Sequence, residues 1–231
     1  MKRILFSLLF VAVAFTTMAQ TADEVINKHI MAIGGVEAWK KVNSVKLEGV
    51  LVVNGAEVNV TQTILHGKGN RQDISVMGMN GYVIIAPTAG WTFLPFQGQQ
   101  APEAMTAENL AESQEELDAQ GVLIDYPAKG HTVEYLGKED IEGTECYKLK
   151  VNKKSGTPET MFIDIKTNYL IRNITIRKAD GKEEVITTNF SNYEKLPEGI
   201  VVAKSITLSI GELNISKITI NGPVDESIFK N

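Results

Sequence analysis

From Asn43 onward the apolar residues recur at every second position, and this period constrains the fold more than any other feature of the chain. Val45, Leu47, Leu51 and Val53 alternate with polar or smaller residues, as in a strand whose side chains point to opposite faces in turn. Asn54-Gly55 follows, a pair suited to a two-residue hairpin because both positions tolerate positive φ. Val58, Val60 and residues 61–65 then return antiparallel. The same pattern predicts strands at 71–79, 82–86 and 91–95, each set off by Gly, Asn or Pro. After a break of about 35 residues it predicts strands at 132–136, 145–152, 159–165, 169–178, 183–191, 200–210 and 213–221. Asp180-Gly181 and Gly211 supply further turns. Eleven or twelve sequential antiparallel strands must curl, close or split into two layers. A mainly β fold follows, either a half-open barrel or a β-sandwich.

Two stretches interrupt the alternation. Val25, Ile26, Ile30, Ile33, Val36 and Trp39 recur at three- and four-residue spacing, which predicts a buried helical stripe over 21–42. Asp23 and Glu24 lie in its first turn, where negative charge favours the helix dipole. Gly34-Gly35 divides it into a helix ending near Ile33 and a short second helix at 36–41. In the central break, Thr106 can cap a helix that runs through Leu110 and Ala111 to about Gln120, with Gly121 as its stop. Ser113-Gln114-Glu115-Glu116 also fits a capping box, so a broken pair of helices is the alternative there. Helices placed between two halves of a meander suit a curved sheet with its inner face covered.

Residues 1–19 have the form of an export leader. Lys2 and Arg3 precede an apolar run at 4–15, and Thr17 and Ala19 provide the small residues at a cleavage site. The run is too short to span a bilayer stably, so the expectation is a soluble periplasmic protein beginning near Gln20. The 231-residue chain carries a net charge of −5. Without Lys2 and Arg3, 21 basic side chains face 28 acidic ones, a net charge of −7. An acidic chain with no basic cluster is unsuited to nucleic acid and lacks a basic amphipathic stretch for a membrane surface. The remaining 212 or so residues suffice for a single domain with a real core. Cys146 is the sole cysteine, which excludes an intramolecular disulfide, and the alternation around it points to a buried, inert thiol.

No local motif points to catalysis. His29, His66 and His131 are far apart in sequence and form no metal-spaced pair, and no calcium loop, nucleophile elbow or phosphate-cradling glycine loop is present. Neither metal nor cofactor is expected. His29 falls near the apolar stripe and reads as a satisfied helix histidine, and Asp164 and Asp225 read as turn residues.

Several segments together resemble the LolA/LolB-like lipoprotein-sorting carriers. They are residues 29–39 (HIMAIGGVEAW) with the strand at 45–49, residues 136–149 (LGKEDIEGTECYKL), residues 162–170 (FIDIKTNYL) and the ending at 221–229 (NGPVDESIF). The resemblance implies a curved antiparallel sheet around an apolar cavity lidded by helices, holding a lipid or the acyl chain of a lipoprotein without catalysis. It also implies an arginine that latches the lid, for which Arg71 is the nearest candidate. Trp91 and Phe93 are expected to line such a cavity as two aromatics on one strand face. Met77 and Met79 are expected to share a face whose flexible thioethers accept varied chains. Met105, Leu110 and Leu117 are expected on the inner side of the covering helix. A module that docks an envelope protein on the same sheet is the alternative, and an enzyme with a polar cluster in its cavity is a third.

Overall fold

The computed structural model describes residues 21–179 and 182–231; the leader at 1–19 and the Asp180-Gly181 turn lie outside the described residues. The strands are β1 (Ser44–Val53), β2 (Ala56–Leu65), β3 (Gly69–Val76), β4 (Met79–Ile85), β5 (Gly90–Phe93), β6 (Glu103–Ala104), β7 (Thr132–Ile141), β8 (Thr144–Asn152), β9 (Pro158–Asp164), β10 (Leu170–Ala179), β11 (Lys182–Lys195), β12 (Val201–Leu208) and β13 (Gly211–Ile220). They form one sheet in the order β6-β5-β4-β3-β2-β1-β13-β12-β11-β10-β9-β8-β7. The chain thus meanders from the middle to one edge, crosses to the far edge, and meanders back until β13 pairs with β1. The edge strands β6 and β7 do not pair with each other, so the sheet is a half-open barrel and not a sandwich.

Turn chemistry sets the register. Asn54 and Gly55 both take positive φ, 48° and 81°, and join Val53 to its partner Ala56. Met77 and Gly78 do the same at 48° and 83°, joining Val76 to Met79. The strand expected at 71–79 therefore ends at Val76. Met77 occupies the turn and Met79 opens the next strand, so the two methionines do not share a strand face.

Helix α1 (Ala22–Ala32) starts at a capping box: Thr21 Oγ1 accepts the Glu24 N–H, and the Glu24 carboxylate accepts the Thr21 N–H. Gly34-Gly35 ends it, and α2 (Val36–Lys40) follows. In the crossing segment Thr106 caps α3 (Ala107–Ser113), which gives way to a 3₁₀ turn at Gln114–Leu117. This is the broken form of the helix expected there. Val25, Ile26 and Ile30 of α1 pack with Leu123 and Ile124 against Tyr147, Leu149, Val151, Met161 and Ile163 of β8 and β9. A second cluster joins Val42, Ala119, Leu196, Ile200 and Ile220, with Trp39, Val45 and Ile64 against it.

These clusters identify the inner face of the sheet, and antiparallel pairing carries the assignment from strand to strand because directly opposed residues point the same way. Val45, Ile64, Asn70, Ile85 and Gly90 form one inward row across β1–β5. The neighbouring row, Lys46, Thr63, Arg71, Ile84 and Trp91, points outward. The outer face of β3 carries the C-terminal tail, where Phe229 lies so close over Gly69 that a Cβ there would be 2.2 Å from the ring.

Candidate functional site

Two cavities lie on the inner face, on either side of residues 118–121. The first, of about 380 Å³, is bounded by Val45 and Leu47 of β1, Ile64 of β2, Phe190 and Tyr193 of β11, Ile206 of β12, and Ile215, Ile218 and Ile220 of β13. His29, Ile33 and Trp39 from the α1–α2 elbow close one side, and Asp118, Ala119, Gln120 and Gly121 close another. The wall is aliphatic and aromatic because each lining strand turns its apolar parity inward.

The polar side chains in this wall are tied back to the backbone. Trp39 Nε1–H donates to Ile33 O at 3.0 Å. The Gln120 amide donates to Lys40 O and Val42 O at 3.3 Å each, and the Tyr193 hydroxyl donates to Leu170 O. His29 is 7% exposed, and its Nδ1 lies 2.8 Å from Asn168 O. A carbonyl only accepts, so Nδ1 carries the proton. Burial lowers the His29 pKa below its ordinary value, against an opposing push from the Asn168 bond, so the ring is neutral at pH 7. Asp164 holds the turn that presents Asn168: its carboxylate accepts the Lys166 N–H and the Thr167 hydroxyl. Burial raises the Asp164 pKa, but these bonds outweigh it and hold the carboxyl below its usual range.

The second cavity, of about 580 Å³, is lined mainly by polar and charged residues and lies between the 3₁₀ turn at Gln114–Leu117 and strands β9 and β10. Lys153 bridges Glu115 at 3.1 Å and Glu159 at 3.3 Å, and Asn173 donates to Glu159 at 2.7 Å. Burial lowers the Lys153 pKa, but the two carboxylates outweigh it and keep the ammonium above its ordinary value. Lys129 pairs with Asp118 at 2.5 Å. His66 Nδ1 accepts the Ala119 N–H and lies 3.4 Å from the Asp118 carboxylate. His131 Nδ1 likewise accepts the Lys154 N–H. Among the described residues no three His, Cys, Asp or Glu side chains are grouped to hold a metal ion. Cys146 is fully buried, and burial, with Asp164 nearby, pushes its thiol up to about 11.

The residues singled out from sequence are dispersed. Trp91 and Phe93 do share a strand face, but it is the outer one. Phe93 packs against Tyr82, with ring centroids 5.8 Å apart. Their inward neighbour is Gly90, over which Met105 packs so closely that a Cβ would be 2.6 Å from its sulfur. Met77, in its turn, is 84% exposed, and Met79 is also exposed. Leu110 is half-buried on α3 and lines neither inner cavity. Leu117 is buried and borders the polar cavity, not the apolar one. Arg71 faces outward, where it pairs with Asp73, donates to Ile228 O and stacks on Tyr82, so it latches the tail and not a lid. The apolar wall instead comes from β1, β2 and β11–β13, whose alternation was legible but whose inner parity was not.

No family model matches the chain, and no curated protein matches it. Solved structures do share its fold. A LolA superfamily protein from Nitrosomonas europaea superposes with a TM-score of 0.57 at 14% identity, over 92% of this chain and 99% of that one. A DUF1329 family protein from Desulfovibrio piger gives 0.57 at 13% identity, over 92% and 98%. An outer membrane lipoprotein-sorting protein domain from Vibrio parahaemolyticus gives 0.56 at 16% identity, over 89% and 94%. The chain has the fold of the LolA superfamily.

Proposed function

We propose that this protein is a non-catalytic carrier, exported to the periplasm by its leader, that holds a lipid or the acyl chain of a lipoprotein in the apolar cavity between β1, β2, β11–β13 and the α1–α2 elbow. The observation that carries this reading is the cavity itself, about 380 Å³ with an almost wholly apolar wall. If a methylene takes roughly the ~30 Å³ share of a liquid water molecule, that space holds about a dozen methylenes. Burying them would contribute about 10 kcal/mol at ~0.8 kcal/mol each. Association and ordering cost about 4–15 kcal/mol, so retention of one chain is reversible, as delivery requires. The fold shared with a lipoprotein-sorting domain agrees with this use. No helix among the described residues is long and apolar enough to cross a membrane.

Release would proceed by movement of the crossing segment, whose residues 118–121 form one wall. Native mass spectrometry of the protein purified without detergent, followed by lipid extraction, tests the proposal. A stoichiometric lipid or acyl chain is expected. An empty protein that also refuses added fatty acids and phospholipids would refute lipid carriage and favour docking of an envelope protein on the same sheet.

A further inference from the structure

One side-chain nitrogen in the wall of the apolar cavity has no hydrogen-bond partner among the described residues. Each side-chain donor in its wall is already committed to a backbone carbonyl: His29 Nδ1 to Asn168, Trp39 Nε1 to Ile33, the Gln120 amide to Lys40 and Val42, and the Tyr193 hydroxyl to Leu170. The Asp118 carboxylate is engaged by Lys129 and by the Gln120 N–H. His29 Nε2 remains, with no hydrogen-bond partner among the described residues. Among those residues no fully buried side-chain nitrogen or oxygen lacks a partner, so Nε2 keeps accessible surface although the residue as a whole is 93% buried (7% exposed) and lines the cavity. With the proton fixed on Nδ1 by the Asn168 carbonyl, Nε2 presents a lone pair.

We propose that the occupant of this cavity is a neutral amphiphile carrying a hydroxyl or amide N–H, which donates to His29 Nε2 while its alkyl body fills the aliphatic wall. This rests on the carrier reading and narrows its substrate class. The wall has no uncommitted side-chain donor to receive a carboxylate or phosphate, and ionised groups are costly to desolvate in such surroundings. A hydroxyl loses its water on entry too, but here it regains an acceptor. A pure hydrocarbon or an ether would leave the imidazole lone pair unmet. Asn168 and, behind it, Asp164 act as positioning residues, because they fix which ring nitrogen carries the proton.

The test compares 1-decanol with 1-methoxydecane as competitors of Nile red, a neutral dye without donors, at pH 8. An indifferent apolar cavity prefers the ether, which gives up less hydration. The proposal expects the alcohol to bind about fivefold more tightly, the factor a single net hydrogen bond confers. His29→Leu should still bind Nile red but lose that preference. A second readout needs no variant: the His29 Nε2 ¹⁵N resonance of the wild-type protein should be of the unprotonated type and shift on addition of decanol but not of the ether. An ether that binds as well as the alcohol, or an Nε2 that carries the proton, overturns the proposal and leaves the carrier reading intact. Failure of Nile red and both competitors to bind removes the carrier reading and this proposal with it.

Discussion

Replacing Lys153 by Met tests whether the polar cavity is held together by a buried ion network. Lys153 reaches Glu115 in the crossing segment and Glu159 on β9, with side chains only 15%, 22% and 8% exposed respectively. Methionine keeps most of the stem volume and removes the charge. Glu159 would then retain a single donor, Asn173 at 2.7 Å. Glu115 would retain the Ser155 N–H. Removing one partner of a buried pair costs about 3–5 kcal/mol because the other charge is left uncompensated. The Asn173 bond survives, and the adjoining 580 Å³ cavity lets water approach, so the low end, about 3 kcal/mol, is expected.

The assay is urea denaturation followed by circular dichroism, with the double variant K153M/E159Q beside the single one. A glutamine at 159 can still accept from Asn173 but has no charge to strand. The double variant should therefore recover all but about 1 kcal/mol of the loss. A single variant within ~1 kcal/mol of the parent would show that the pair is effectively solvated. A double variant as weak as the single one would show that the lysine stem, and not its charge, matters.

Three other outcomes follow from local features. Thr21→Ala removes the capping box of α1 and should cost about 1 kcal/mol in the same urea assay; an unchanged midpoint would mean that packing alone holds the helix start. Phe229→Ala should cost about 3 kcal/mol, since the ring is 4% exposed over Gly69, and limited proteolysis should then cut the tail after Asn221; an uncut tail would refute its docking through this ring. Burial lowers the pKa of both His29 and His131 from 6.5, so the unfolded chain takes up protons first on acidification. Stability should hold above about pH 7 and fall as pH drops through 6.5; a urea midpoint constant from pH 8 to 5.5 would contradict neutral, buried imidazoles.

Local chemistry made most of the elements legible. Asn54-Gly55 could close a hairpin on its own two residues, and Gly34-Gly35, both at positive φ, could end α1. Thr21-Ala22-Asp23-Glu24 carries a capping-box signal just as local, with Glu24 serving both the box and the acidic first turn. Met77-Gly78 escaped because methionine is unusual at positive φ, and missing that turn shifted the expected strand by three residues. The two-residue β6 is too short to show any period.

The site was less legible because it depends on which side of each strand is covered, and period two is symmetric between the faces. Trp91 and Phe93 are large and apolar, yet they point outward. The inward positions beside them are filled by the chain that follows, by Met105 above Gly90 and by Phe96 and Pro95 above Gly81. A glycine within a strand thus signals that something approaches closely. It does not say from which side: Gly69 makes room for Phe229 on the outer face by the same device. Deciding the side requires knowing where residues 105–131 and 221–231 cross the sheet, and both routes are set by contacts with strands far away in sequence. His29 illustrates the same limit. Its place near the apolar stripe of α1 was evident, but the bond that fixes its proton on Nδ1 was not, because the accepting carbonyl belongs to Asn168, 139 residues away.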